Sequence, residues 1–220
     1  MISRVGLAAL VAVVVVGSVA GSGASQPPIG SGVYAVRADP RLCPSPLCGG
    51  YWIALANGAR TKCADGVRRP QCYVARAVDA KRHRLDVSIP DQGLVRADLE
   101  AWDFEGFGRL GVLAVAVVFT PAGTAPVSGG YYRVVDTGVR CVREPCFSYR
   151  ATQVNGSTRT TMSDVDLQAA EAAPAELAHA EAAVHTKNGL IARGRFARTS
   201  GGGIVFRALR LYLRAPQPRA

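Results

Sequence analysis

The stretch Asp39–Gly58, DPRLCPSPLCGGYWIALANG, has a near-twin later in the chain, Gly138–Gly156, GVRCVREPCFSYRATQVNG. Laid over each other without a gap, Gly32–Gly58 and Gly130–Gly156 share a set of residues at a constant spacing of 98 positions. The matches are Gly32/Gly130, Tyr34/Tyr132, Val36/Val134, Cys43/Cys141, Cys48/Cys146, Tyr51/Tyr149, Asn57/Asn155 and Gly58/Gly156. Eight identities in 27 positions, nearly all of them Gly, Cys, aromatic or Asn, point to an internal repeat. The likeness continues more loosely, with Gly93–Phe119 paralleling Gly189–Leu213 from one Gly-Leu pair to the next. Each half reads as a strand, a Cys-closed turn, a second strand, a middle segment and a terminal hairpin.

The local pattern is β. Tyr34-Ala35-Val36 and Tyr131–Val135 are rich in aromatic and β-branched residues. YWIALANG and SYRATQVNG both end in Asn-Gly, the strongest short signal for a tight hairpin turn, and Arg159–Leu167 can pair back across the second. One helix is predicted, Pro174–His185: Pro suits its first position, Leu177, Ala180 and Val184 share a face, and Lys187-Asn188-Gly189 closes it. The fold class that follows is mainly β with one short helix, two related β-rich halves from an internal duplication, pinned by disulfides. The first β-rich half spans 33–119 and the second 131–215, with a linker at 120–130 and a tail at 216–220. A flexible, Gly/Ser/Pro-containing lead-in occupies 25–32.

Residues 1–24 read as a secretory signal peptide: Arg4, an uncharged run from Val5 to Val16, then small residues at the −3 and −1 positions of two candidate cleavage sites. The run is shorter than the roughly 20 residues that a spanning helix needs. No later stretch is long and apolar enough to span, so no membrane span is expected after cleavage, which should fall between Gly21 and Gln26. The protein is expected to be exported, either periplasmic or extracellular.

In that setting an even number of cysteines favours disulfides over thiols. Six cysteines allow fifteen connectivities. The second half holds only Cys141 and Cys146; if it is self-contained, those two pair. By likeness Cys43 pairs with Cys48, leaving Cys63 for Cys72. The rival is a crossed pattern joining Cys43 or Cys48 to Cys141 or Cys146. The x4 and x8 spacings, without flanking His, do not suit zinc. No Cys-x-x-Cys redox pair occurs, and no catalytic motif stands out, so no catalytic residue, metal or cofactor is assigned. Asp164 and Asp166 share a strand face and would suit a cation, but exposed acids at a hairpin end explain them as well.

The motifs RLCPSPLCGGYW, TKCADG and CYVARAVD, with DTGVRCVREPC and GLIARGRF in the second half, resemble an uncharacterised family of exported bacterial proteins, a domain of unknown function. The resemblance rests on Cys43, Cys48, Gly49, Gly50, Tyr51, Trp52, Cys63, Ala64, Asp65, Gly66, Cys72, Tyr73, Val74 and Ala75. It implies export and the cysteine framework, and carries no activity.

Rigid loops with aromatic residues beside them and no catalytic set suggest a non-enzymatic binding or envelope-associated protein. Leu47, Tyr51, Trp52, Arg143 and Phe147 are its candidate contact residues, and an envelope protein or a glycan its expected partner. The alternative is a secreted protease inhibitor presenting Leu47 or Arg143 on a Cys-bounded loop, with a protease as partner. The net charge is +10, carried by 23 Arg against 3 Lys, and no acid follows Glu181. Weak polyanion binding through the basic C-terminal strands is therefore expected, lost by about physiological salt.

Overall fold

The computed structural model describes residues 27–216; the candidate signal peptide lies outside them. The first half contains β1 (Gly30–Ala38), β2 (Tyr51–Leu55), a small hairpin of β3 (Thr61–Lys62) and β4 (Arg68–Arg69), then β5 (Cys72–Asp79), β6 (Leu94–Phe104) and β7 (Gly108–Ala122). The second contains β8 (Gly130–Asp136), β9 (Tyr149–Gln153), β10 (Arg159–Met162), β11 (Asp164–Asp166), helix α1 (Pro174–Val184), β12 (Leu190–Arg198) and β13 (Ile204–Arg214). The lead-in is shorter than composition suggests. Gly30–Gly32 belong to β1 and pair with Ala97–Leu99, and the Ile29 N–H donates to the Leu99 carbonyl at 2.7 Å. Likewise Thr120–Ala122 are strand, the end of β7, so the connecting segment begins later than its Pro and Gly content implies.

Each half closes on itself. In the first, β1 lies between β2 and β6, β6 pairs with β7, β7 runs parallel to β5, and β5 returns to β2. In the second, β8 lies between β9 and β12, β12 pairs with β13, and β13 runs parallel to β11; β10, just before β11, returns to β9. The registers repeat as well. Tyr34↔Leu55 and Val36↔Ile53 recur as Tyr132↔Gln153 and Val134↔Ala151. Past the middle segment the correspondence shifts by one residue from the Gly93/Gly189 alignment. Tyr34 faces Val95 and Tyr132 faces Ala192, so Leu94 matches Ile191 and not Leu190.

Both halves also carry the same β-bulge. The β6/β7 register slips between Arg96 and Ala97, skipping Ala116; the β12/β13 register slips between Arg193 and Gly194, skipping Leu209. A bulge reverses which alternate residues face inward. Leu113 and Val115 enter the first core before the bulge, and Val118 after it. Phe206 and Ala208 enter the second core before it, Leu211 and Leu213 after it. The other face of β7 is covered too: Val112 and Ala114 pack with Val78, and Val117 and Phe119 pack between the halves. Burial on both faces is why this strand reads as a nearly continuous apolar run.

Each ring encloses one of the two main cores. At matching positions the second core is smaller at Ala151 (for Ile53) and Ala192 (for Val95), but larger at Met162 (for Val74), Phe196 (for Leu99) and Phe206 (for Leu113). Volume lost at two positions is recovered at three, which close packing requires. The helix, absent from the first half, lays Ala180 and Val184, with Leu177 beside them, on the second core.

The halves share one sheet, through β7 and β13, with Pro121 opposite Tyr212. They also share a core of their own, including Val33, Leu94, Phe119, Val154, Ile191 and Tyr212. Across this junction the Asn-Gly turns exchange hydrogen bonds. The Asn57 amide donates to the Tyr131 and Val154 carbonyls at 2.7 and 3.0 Å, and its oxygen accepts from the Tyr131 N–H at 2.8 Å. Asn155 does the same to Val33 and Ala56: it donates to their carbonyls at 2.7 and 3.0 Å and accepts from the Val33 N–H at 2.9 Å. Both asparagines sit in turns at positive φ, 62° and 57°, a conformation Asn tolerates better than most residues.

Candidate functional site

Three disulfides link Cys43 to Cys48, Cys63 to Cys72, and Cys141 to Cys146, with Cα separations of 5.3, 5.3 and 5.4 Å. Every bridge stays within one half, and the crossed pattern does not occur. Cys63–Cys72 ties the β3/β4 hairpin to the start of β5, an insertion with no second-half counterpart. The other two close equivalent loops, β1 to β2 and β8 to β9.

The first loop is held by a compact ionic and aromatic stack. Asp39, just after β1, accepts from the Arg41 side chain at 2.9 to 3.1 Å and from the Trp52 indole N–H at 3.3 Å. Arg41 also donates to the Leu47 carbonyl at 2.9 Å, and its guanidinium lies 5.2 Å from the Trp52 ring and 5.0 Å from Tyr73. The Tyr73 hydroxyl donates to the Pro46 carbonyl at 2.8 Å. The Arg41 hydrogen bonds hold the Asp39 carboxyl below its usual range. Gly50 lets the loop lie flat on β5, since a Cβ there would sit 2.1 Å from the Val74 carbonyl oxygen. Trp52 is therefore part-buried and engaged inside the stack, and Tyr51 packs on the first core. What the loop presents outward is Leu42, fully exposed at 103%, and Leu47.

The second loop is held by Asp136. Its carboxylate accepts from Arg140 at 2.7 and 3.0 Å, from the Gly138 N–H at 2.8 Å, and shares a 2.9 Å hydrogen bond with His185 Nδ1 at the end of α1. Arg140, then the Gly138 N–H, hold the Asp136 carboxyl well below the usual carboxylate range. The outward residues are Val139, Val142, Arg143 and Phe147, with Val142 at 103%. No hydrogen bond, ion pair or ring contact among the described residues joins Leu47 and Trp52 of the first loop to Arg143 and Phe147 of the second.

Residues 32–218 match the family model Domain of unknown function (DUF6748). The chain belongs to this family. No curated protein and no solved structure matches it. In this family member the three disulfides are compatible with export, and among the described residues no helix is long and apolar enough to cross a membrane.

Sequence reasoning named Leu47 and Phe147 but missed the two anchoring carboxylates and the outward Leu42, Val139 and Val142. The anchors had a visible signal, an Asp followed within four residues by an Arg just before each Cys pair (Asp39/Arg41, Asp136/Arg140). Asp164 and Asp166 have local uses. Asp164 accepts from the Val165 N–H at 2.8 Å; Asp166 accepts from the Ala169 N–H at 3.0 Å and pairs with Arg207 at 3.4 Å. Of the basic C-terminal strands, Arg195, Arg198, Arg207 and Arg214 are exposed.

Asp136 makes a pH prediction. A carboxyl whose folded pKa lies below its unfolded value, about 3.9, stabilises the fold fully above the unfolded pKa and loses the contribution as pH falls from there through the lower folded pKa. Wild-type stability should therefore fall between about pH 5 and pH 2, and Asp136→Asn should flatten that fall. Denaturant titrations across this range check it; parallel profiles for the two proteins would assign the acid sensitivity elsewhere.

Proposed function

We propose that this protein is an exported, non-enzymatic binding module, periplasmic or extracellular, that meets an envelope protein or glycan through its two Cys-closed loops. One observation carries the reading. Of the seven large apolar residues exposed among the described residues, five lie on these loops: Leu42, Leu47, Val139, Val142 and Phe147. Exposed apolar groups concentrated on two loops suit contact sites. A loop already fixed by a disulfide and an Asp–Arg clamp loses little freedom on binding, which favours affinity. Disulfides support an oxidising compartment. The exposed Arg195, Arg198, Arg207 and Arg214 support weak, salt-sensitive association with polyanions.

The test is capture from the producing organism's envelope extract and culture fluid by immobilised wild type and by a Leu42→Ser, Leu47→Ser, Val142→Ser, Phe147→Ser variant. Exposed substitutions of this kind leave stability within about 0.5 kcal/mol each, so the variant should fold. A partner held by wild type and lost from the variant is the expected result. Equal capture by both would remove the loops from the reading. An endoprotease that is captured and inhibited, and that Leu47→Ala or Arg143→Ala releases, would replace it with the inhibitor alternative.

A further inference from the structure

The junction between the halves holds an open groove of about 190 Å³ whose walls include Arg37, Trp52, Tyr131, Arg193, Arg210 and Tyr212. Three of these side chains are cationic, no carboxylate lines the groove, and none of the three cations forms an ion pair among the described residues. Arg193 and Arg210 are direct cross-strand partners on β12 and β13. Like charges placed opposite one another destabilise a sheet. Arg193 donates to the Gly129 carbonyl at 3.1 Å and lies 5.0 Å from the Tyr131 ring centroid. Arg210 reaches the Ala125 carbonyl at 3.3 Å, but its Nε is buried and has no hydrogen-bond partner. A buried guanidinium N–H left unpaired costs free energy, so the site is unsatisfied as it stands.

The fold does not require these charges. The repeated bulge places Arg193, Arg210 and Tyr212 where the first half has Arg96, Val117 and Phe119. Val and Phe fill the equivalent positions of the same strand pair, so packing alone would be served by apolar residues. The second half instead supplies a second guanidinium and a phenol. Tyr131 and Tyr212 face each other with ring centroids 5.7 Å apart. Burial pushes the Tyr212 hydroxyl above the ordinary phenol range, so it stays a neutral donor.

We infer that this groove binds the oxyanion of a small ligand, a carboxylate, phosphate or sulfate held between the Arg193 and Arg210 guanidiniums. The planar fork of Arg suits such groups. The inference does not rest on the Cys-closed loops, although Trp52 borders both, and its failure would leave the loop reading untouched.

The experiment is calorimetric titration of the mature protein with sodium sulfate, phosphate, acetate and citrate in separate arms, at matched ionic strength in chloride. Saturable binding in at least one arm is expected. A response to sulfate or phosphate alone assigns a tetrahedral anion; a response to acetate or citrate alone assigns a carboxylate. Arg210→Val copies the residue type at Val117 and should keep the fold, checked by its melting temperature, while weakening binding by about tenfold or more, the scale of a lost charge-assisted hydrogen bond. Arg193→Met provides the second variant should Arg210→Val fail to fold. No saturable binding beyond chloride in any arm would overturn the proposal. So would equal affinity for wild type and a folded variant.

Discussion

Replacing Asn57 and Asn155 together with glycine is expected to cost about 3–5 kcal/mol of stability and to let the halves separate once the connection between them is cut. The figure follows from six hydrogen bonds, three per side chain, each contributing somewhat under 1 kcal/mol net in a part-exposed setting. Glycine isolates that loss, because it accepts positive φ and so keeps the turns unstrained. Denaturant unfolding measures the energy. A protease site placed within Thr124–Ser128 tests the mechanical consequence. Nicked wild type should elute as one particle without reductant, since the halves also share a core and a strand pair, whereas nicked double variant should dissociate. Dissociation of nicked wild type, or a double variant as stable as wild type, would mean the exchange contributes little.

Phe206→Ala should cost about 3–5 kcal/mol, the range for emptying a fully buried aromatic site. Phe206 is 0% exposed, and its ring lies 5.5 Å from Tyr132 and 5.2 Å from Phe196, edge-on and tilted. These three rings fill the second core where the first uses Tyr34, Leu99 and Leu113. Phe206→Leu, which installs the residue type of the matching Leu113, should cost much less than Phe206→Ala. Urea unfolding of the three proteins provides the comparison. Equal losses for Ala and Leu would show that the site tolerates no change of shape, against the substitution the repeat itself makes.

The parts of the fold legible in the sequence are those governed by short-range pattern. The Cys-x4-Cys loops, the strands around Tyr34 and Tyr132, and the helix from Pro174 each carry a local signature. So does the constant spacing of the two halves, up to the middle segment. What escaped was decided by contacts made at long range. Gly30–Gly32 have loop-like composition, yet pairing with β6 holds them extended, because sheet context outweighs intrinsic preference. Asn57 and Asn155 announce a turn; nothing local tells that their side chains reach the opposite half. The bulges leave only a faint mark, the adjacent valines at Val117-Val118 that interrupt alternation. The bulge in β13 separates the C-terminal arginines, too. All eight cations after Glu181 read as one solvated basic end, but the phase reversal after Leu209 sends Arg210 and Tyr212 to the junction while Arg207 stays exposed.

The closure of both rings limits the strand edge this fold exposes. Among the described residues, with β10 and β11 counted as a single strand, each strand of either ring has a neighbour on both sides over at least part of its length, and only the two-residue pair β3/β4 stands outside. Open strand edges are where extended peptides add themselves to a sheet and where chains aggregate. Among the described residues such edge is left at hairpin ends, where Glu100–Phe104 of β6 and Arg195–Arg198 of β12 pair on one side only. Under the proposed function, contact would fall to side chains on the loops, and ring closure limits edge-to-edge association between copies.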